Sequence, residues 1–270
     1  PPQQEEIFSV RTGVLLVPFG NVNVDHFAPL RDVVRKPLVS YAVAPSDWTD
    51  NGIQFTGRRL AGTSWMFEYE AAVIAGLDSH ITSVGMRAAR QPFGADNNNN
   101  KAAVGRFAIK RSTSFETGIS AYTGKYDDAN QQRLNGWAAD LRAEFGPLRL
   151  TGEYDHFTAN TAVGPKSQLA GYYARASWDL RGGVLRKIAK DFDDPRFTLV
   201  AQYDWARIDG PNPVTGKFER NRETGVTVGF AYRPSRQWVL KVNYEKNQIT
   251  NESLDRGDLT GWLGSVGFVF

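Results

Sequence analysis

The sequence predicts an all-β, transmembrane, antiparallel up-and-down β-barrel of about 12 strands, formed by residues 1–270 as one domain. Three observations lead to this fold class. Candidate strands alternate apolar and polar residues, with aromatic residues at both ends of the apolar face. The connections between strands alternate between long and short. The segment GWLGSVGFVF (261–270) is a strand that stays apolar to its last residue, and such a strand needs an apolar surrounding.

Composition is compatible with this class and excludes several others. Charged residues make up 23% of the chain, mean hydropathy is −0.41, and no stretch approaches the roughly 18 apolar residues of a spanning helix. The absence of Cys excludes disulfides and thiolate metal sites. A net charge of +3 is too small to indicate a nucleic-acid partner, and we expect none. The opening PPQQEE, which lacks Met, suggests a processed or trimmed chain.

The alternation is clearest in four candidate strands, at 65–77, 137–145, 197–205 and 238–246. In the second of these, Trp137, Leu141 and Phe145 share one face, while Asp140 and Arg142 lie on the other. Each segment has aromatic residues at the ends of its apolar face and small aliphatic residues in the middle. A soluble sandwich tends to place large residues at mid-strand. Aromatic ends are instead the girdle expected at the two interfaces of a membrane.

The order of strands and connections supports the same fold. Twelve strands are predicted, at 8–19, 52–60, 65–77, 102–111, 114–123, 133–145, 147–157, 168–178, 196–207, 223–233, 236–247 and 259–270. Long polar segments follow the odd-numbered strands, at 20–51, 78–101, 124–132, 158–167, 208–222 and 248–258. Short turns follow the even-numbered strands, except at 179–195. Long extracellular loops and short periplasmic turns are typical of bacterial outer-membrane barrels. We therefore expect an integral protein of the outer membrane in a Gram-negative envelope.

The last strand is expected to pair with the first, which would close the barrel and leave no open edge in lipid. Phe268 and Phe270 resemble the C-terminal signal by which the outer-membrane assembly machinery recognises its substrates. The expected partners are therefore outer-membrane lipid and that machinery. A buried C-terminal strand of a soluble core is the alternative.

Several segments in the first half carry a family resemblance. These are RTGVLLVPFGNVN (11–23), PLRDVVRKPLV (29–39), DNGIQFTGR (50–58), DNNNNKAAVGRF (96–107) and ISAYTGKYD (119–127). In order and spacing, residues 10–130 resemble the phosphate-selective porin O/P-like group of bacterial outer-membrane proteins. The resemblance implies a porin, often trimeric and usually with more strands than twelve. The lysine- and arginine-rich constriction motif of the group has no residue-by-residue match here, so phosphate selectivity is not expected.

If the aromatic residues face lipid, charged residues of both signs face the lumen in equal number. The predicted pore-lining residues are Arg58, Glu68, Glu70, Arg106, Lys110, Glu116, Asp140, Arg142, Arg149, Glu153, Arg175 and Lys241. Because neither sign dominates, we expect mostly paired charges and a narrow, weakly selective pore, or one closed by an inward-folded loop. Arg106 and Lys110, two apart on one face of a strand, form the densest positive stretch. These charges could equally serve only to stabilise a polar interior.

Loop 20–51 is the best candidate for a constriction, because it is far longer than usual connections. Within it, HFAPLRDVVRK (26–36) is expected to form a short helix. A second amphipathic helix is expected in 179–195, facing headgroups or a partner protein.

Other chemistry is sparse. DNNNN (96–100) is interpreted as Asx turns rather than as a Ca²⁺ site. The histidines His26, His80 and His156 are far apart, and His156 is expected to face lipid beside an aromatic residue. No His–Ser pair of a membrane hydrolase is apparent. No enzymatic activity, metal or cofactor is expected.

Two functions remain. One is a porin-like channel for passive diffusion of small polar solutes or ions. The other is a structural or docking barrel that anchors a larger cell-envelope assembly, as a homo-oligomer or with an envelope protein partner.

Overall fold

The computed structural model of the protein describes residues 5–24, 28–45, 47–162, 164–180, 195–250 and 259–268. Twelve antiparallel strands form one sheet in chain order, which confirms the predicted all-β, up-and-down fold class. The strands are β1 Glu6–Leu16, β2 Thr49–Ala61, β3 Trp65–Ile74, β4 Ala102–Arg111, β5 Phe115–Lys125, β6 Arg133–Phe145, β7 Leu148–Ala159, β8 Ser167–Leu180, β9 Arg196–Pro211, β10 Phe218–Arg233, β11 Trp238–Thr250 and β12 Leu259–Phe268.

The two faces of the sheet differ as the alternation predicts. In β6, the side chains of Trp137, Leu141 and Phe145 are 49%, 43% and 63% exposed, whereas Asp140 between them is 4% exposed. Trp238 in β11 and Phe268 in β12 pack ring to ring at 4.6 Å on the same outer face. Large apolar residues therefore cover the outer face, and polar residues lie on the inner face.

Two predicted connections have different bounds. The predicted loop 208–222 is wrong, because β9 and β10 continue to Pro211 and Phe218. Asp209 of β9 forms one ion pair with Arg222 of β10 and another with Arg207 of its own strand. A polar stretch that resembles a loop in sequence is therefore a strand pair. The predicted loop 20–51 begins instead at residue 17 and ends at residue 48, where the Val17 amide donates to the Trp48 carbonyl at 2.9 Å.

Closure of the barrel stays a prediction. The sheet runs in order from β1 to β12, and within the described residues these two edge strands are not hydrogen-bonded to each other. Phe270 and most of the predicted helix at 179–195 lie outside the described residues. Among the described helices, none is both long and apolar enough to cross a bilayer.

The segment 17–48 is called the inner loop below, and its described residues, 17–24, 28–45 and 47–48, lie against the inner face. They contact β5, β6 and β7 through the short helix α1 (Gly20–Val24) and β7, β8 and β9 through the π-helical turn Val39–Val43. Because one loop contacts so many strands, the sheet must curve around it. The inward-folded loop is thus confirmed. The predicted helix at 26–36 is wrong: the described part is a 3₁₀ turn, Ala28–Leu30, followed by bends.

Candidate constriction inside the strand wall

The sheet of twelve strands is called the wall below. The inner loop begins and ends at an aromatic cluster, near the ends of the strands that carry the long loops. The Phe19 ring lies 4.8 Å from Phe157 and 6.0 Å from Trp48, and Trp48 lies 5.3 Å from Tyr122. These four side chains are almost completely buried. Burial of a large apolar side chain contributes about 1.5–3 kcal/mol, so apolar packing fixes the root of the loop.

Glu153 on β7 holds the next segment of the inner loop. Its Oε2 accepts hydrogen bonds from the Asn21 amide at 2.5 Å and from the Val22 amide at 2.8 Å. The Gly20 amide donates to the Ser120 hydroxyl at 3.1 Å. Gly20 has φ +65°, and a Cβ there would lie 2.4 Å from a Glu153 oxygen, so this close approach requires glycine.

Asp32 lies at the tip of the inner loop and is the main ionic contact between the loop and the wall. Its carboxylate pairs with Arg149 of β7 and with Arg233 of β10 at 3.0 Å, and it accepts from the Ser177 hydroxyl of β8 at 2.9 Å. Burial raises the pKa of Asp32, but the guanidinium groups of Arg149 and then Arg233 outweigh this and hold that pKa below its ordinary value. The carboxylate is therefore charged at neutral pH.

Wall side chains also bind the backbone of the tip. The Arg233 guanidinium donates to the carbonyls of residues 29, 30 and 31 at 3.0–3.3 Å. The Lys241 ammonium donates to the Ala28 carbonyl at 2.7 Å, and the Val34 amide donates to Asn243 Oδ1 at 2.7 Å. These bonds explain the missing helix, because backbone groups that a helix would pair internally are taken by the wall.

The returning half of the inner loop is held in the same way. The Leu38 amide donates to Asp204 Oδ1 of β9 at 3.0 Å, and Arg35 forms an ion pair with Glu245 of β11 at 3.7 Å. Polar contacts from β5 and from β7 to β11 therefore surround the loop.

A second long loop covers the first at the long-loop end. Arg90 donates to the Asp47 carbonyl at 2.9 Å, and a Cβ on Gly85 would lie 2.7 Å from the Ala42 carbonyl oxygen. Further along this loop, Asn98 Oδ1 accepts from the Asn100 amide at 2.8 Å, which confirms the Asx-turn interpretation of DNNNN. The interior is thus covered from this side.

On β3 to β6 the inner-face charges pair with one another. Arg106 Nη2 lies 2.7 Å from Asp140 and 3.2 Å from Glu116, and Lys110 Nζ lies 2.6 Å from Glu68. The predicted positive stretch at Arg106 and Lys110 is therefore wrong as a local field, because three carboxylates neutralise it. Pairing of most inner charges is confirmed.

A cavity of about 280 Å³ remains between the inner loop and the wall. Its charged lining residues are Arg31 and Asp32 from the loop and Arg142, Arg149, Arg175 and Arg196 from β6, β7, β8 and β9. Arg149 and Arg196 stand at the short-turn ends of their strands, so the cavity lies toward that end of the wall. Its basic lining differs from the balanced charge of the interior as a whole.

The twelve predicted pore-lining residues fall into groups by their contacts. Glu153, Arg149 and Lys241 bind the inner loop. Arg142, Arg149 and Arg175 line the cavity. The other residues contact wall or N-terminal side chains: Arg58 with Glu6, Glu70 with Gln54, and Glu68, Arg106, Lys110, Glu116 and Asp140 with one another. His156, which is expected from the sequence to face outward beside an aromatic residue, lies on the outer face with its ring 6.1 Å from that of Trp137.

Sequence reasoning missed the loop partner of the wall charges. The sequence pattern places Asp32 in a helix and Arg233 on the inward face of its strand, but it neither pairs these two residues nor marks Asn243 as a contact of the loop. The available signal was an acidic residue beside Val33 and Val34 in an apolar stretch, since a buried carboxylate needs a cationic partner.

Comparison with known proteins leaves the family open. No protein-family profile matches the chain, so the resemblance to the phosphate-selective porin group gains no support there. An uncharacterised protein of Aquifex aeolicus (strain VF5) is 22% identical over 291 residues, which cover 97% of this chain and 62% of that protein. The chain therefore spans less than two thirds of this relative's length. The crystal structure of the siderophore receptor PirA from Pseudomonas aeruginosa matches 81% of this chain and 38% of its own, with 12% identity and a TM-score of 0.46. At that TM-score the likeness adds nothing to the strand pairs described above.

Proposed function

We propose that the protein is an integral outer-membrane protein and a porin-like channel for passive diffusion of small polar solutes or ions. The outer face supports the membrane placement: large apolar side chains are exposed along the strands, and a continuous apolar surface of this kind is unstable in water. The alternation of long loops and short turns supports the outer membrane.

The observation that carries the channel proposal is the arginine-lined cavity beside the inner loop. The loop constricts the interior but leaves about 280 Å³ of space next to Arg142 and Arg175. Few ions fit in a cavity of this size, so we expect a small single-channel conductance if ions pass through it. The paired charges elsewhere in the interior favour weak selectivity overall.

Planar-bilayer recording with a salt gradient tests the proposal. The wild-type protein should conduct with little preference between K⁺ and Cl⁻. Arg142→Glu should shift the reversal potential toward cation selectivity, because this side chain is 38% exposed in the cavity. Arg133→Glu is the matched control: it lies on the same strand, with its side chain toward Thr123 on the outer face, and should cause no shift.

If the pore conducts but Arg142→Glu does not shift the reversal potential, the cavity does not lie on the path of the ions. A protein that never conducts would contradict the channel and favour the second candidate, a docking barrel in a larger envelope assembly. The inner loop favours that candidate, because contacts with many strands hold the loop in the interior, where it obstructs a channel. Cross-linking of intact cells, followed by identification of a stoichiometric envelope partner, would then be the measurement.

A further inference from the structure

The short-turn half of the outer face carries two arginines within an otherwise uncharged surface. Across β2, β3 and β4, Arg59 lies opposite Phe67, and Arg111 lies opposite Trp65. Among the described residues of β2 to β11 whose side chains face outward in this half, Arg59 and Arg111 alone are charged. A charge on a lipid-facing wall is costly unless it meets a polar partner at the interface.

Both arginines are exposed, and neither forms an ion pair with a carboxylate of the described residues. The Arg111 guanidinium lies 5.5 Å from the centre of the Trp65 ring, which orients it by a cation–π contact. Phe67, which lies opposite Arg59, stacks on Phe107 of β4 at 6.3 Å. Aromatic residues thus fix the surface from which both cations extend.

A cavity of about 560 Å³ opens beside Arg111. The hydroxyls of Ser64, Ser112 and Ser114 line it at the turns, and Trp65, Phe115 and Phe145 line it on the outer wall. Glu144 also borders it, but its carboxylate accepts from Arg142 at 2.9 Å. The cavity therefore has cationic and hydroxyl groups at one end and aromatic groups at the other, which matches the polarity of a phospholipid.

From this arrangement we propose that Arg59, Arg111 and the adjacent cavity form a binding site for the phosphate headgroup of an anionic glycerophospholipid. Two strand spacings and two residues separate the arginine Cα atoms, roughly 12 Å in all. Side chains of this length converge on one phosphodiester or bind two neighbouring ones, and guanidinium groups favour phosphate oxygens. Basic sites at membrane interfaces recognise lipid headgroups in this way. The inference rests on the membrane placement but does not depend on conduction.

Native mass spectrometry of the detergent-purified protein tests the site. Phosphatidylglycerol and phosphatidylcholine with identical acyl chains are added, and bound lipid is counted. Both lipids carry the phosphodiester, but the quaternary ammonium of phosphatidylcholine is repelled by the two guanidinium groups. The wild-type protein should therefore retain more phosphatidylglycerol than phosphatidylcholine, by about fivefold for each arginine that contributes. The variant Arg59→Gln/Arg111→Gln should lose that preference, whereas Arg111→Lys, which keeps the charge, should keep part of it.

The matched control is Arg133→Gln/Lys246→Gln. It removes the same charge from outward positions at the long-loop end and should leave the preference unchanged. A preference that survives Arg59→Gln/Arg111→Gln, or that falls equally in the control, would overturn the site. So would displacement of phosphatidylglycerol by millimolar inorganic phosphate, since the ligand would then be a free anion. Lipid preference in a protein that does not conduct would leave the site standing and contradict only the channel.

Discussion

Asp32 is expected to decide whether the inner loop stays inside the wall, and Asp32→Asn tests this. The substitution keeps the size of the side chain but removes the charge that pairs with Arg149 and Arg233. Arg233 is 7% exposed, so its guanidinium would remain buried without its carboxylate. Loss of one partner of a buried ion pair costs about 3–5 kcal/mol. Some of this is recovered, because Arg233 keeps its bonds to the loop carbonyls.

A net shift of about 3 kcal/mol corresponds to a rise of roughly a hundredfold in the population with the loop tip released. The chain has no Cys, so a single introduced Cys reports this population. Val33→Cys places the thiol at a position that is 1% exposed. Its rate of reaction with a bulky, membrane-impermeant maleimide should rise about a hundredfold when Asp32→Asn is added, if opening and closing are fast relative to labelling.

Two controls accompany the measurement. Val214→Cys, at a position 88% exposed, gives the rate for an open thiol. Asp47→Asn removes an ion pair with Lys36 within the same loop, where the Asp47 side chain is 50% exposed, and should leave the Val33→Cys rate nearly unchanged. Equal Val33→Cys rates in the presence and in the absence of Asp32→Asn would refute the ionic anchoring of the tip.

Acid should weaken the same ion pairs, because it protonates Asp32. The pKa of Asp32 lies below its ordinary value of 3.8, so its stabilising contribution is complete above about pH 4 and is lost as pH falls further. Labelling of Val33→Cys relative to Val214→Cys should therefore rise only below about pH 4, and this rise should be absent with Asp32→Asn. Gly20→Ala should loosen the loop root, because its Cβ would collide with Glu153, and should raise Val33→Cys labelling at neutral pH. Leu141→Arg should destabilise the folded protein in liposomes by about 2–4 kcal/mol, more than Arg142→Leu, whose side chain faces inward; the reverse order would contradict the strand register.

The strand wall could be predicted from the sequence because period-two alternation depends on short-range chemistry. Trp137, Leu141 and Phe145 are exposed on one face for the same reason that they alternate in the sequence. The extension of β9 and β10 could not be predicted, because Arg207, Asp209 and Arg222 give a polar pattern that local propensity assigns to a loop. The ion pair of Asp209 with Arg222 across the two strands stabilises the extension, and that pairing depends on tertiary structure.

The candidate site could be predicted only in outline. The length of the segment after β1 indicates a constriction. The residues that bind it come from strands 100 or more positions away, as in the contact between Gly20 and Ser120 or between Asp32 and Arg233. The alternation of the strands predicts which charged side chains face inward, but it does not predict which residues they pair with. Arg106 illustrates this: its side chain is 4% exposed and paired with Asp140, so a charge reversal there would test folding rather than ion selectivity.

The two ends of the inner loop are held by different forces, and this difference determines how the interior could open. The root is packed in the aromatic cluster of Phe19, Trp48, Tyr122 and Phe157, which is apolar and insensitive to acid. The tip is held by the ion pairs of Asp32 and by hydrogen bonds from Arg233 and Lys241, and neutralising the carboxylate removes the ionic part of this hold. The loop should therefore release from its tip and turn about its root. Such a movement would enlarge the arginine-lined cavity from the short-turn end while the long-loop end stays covered.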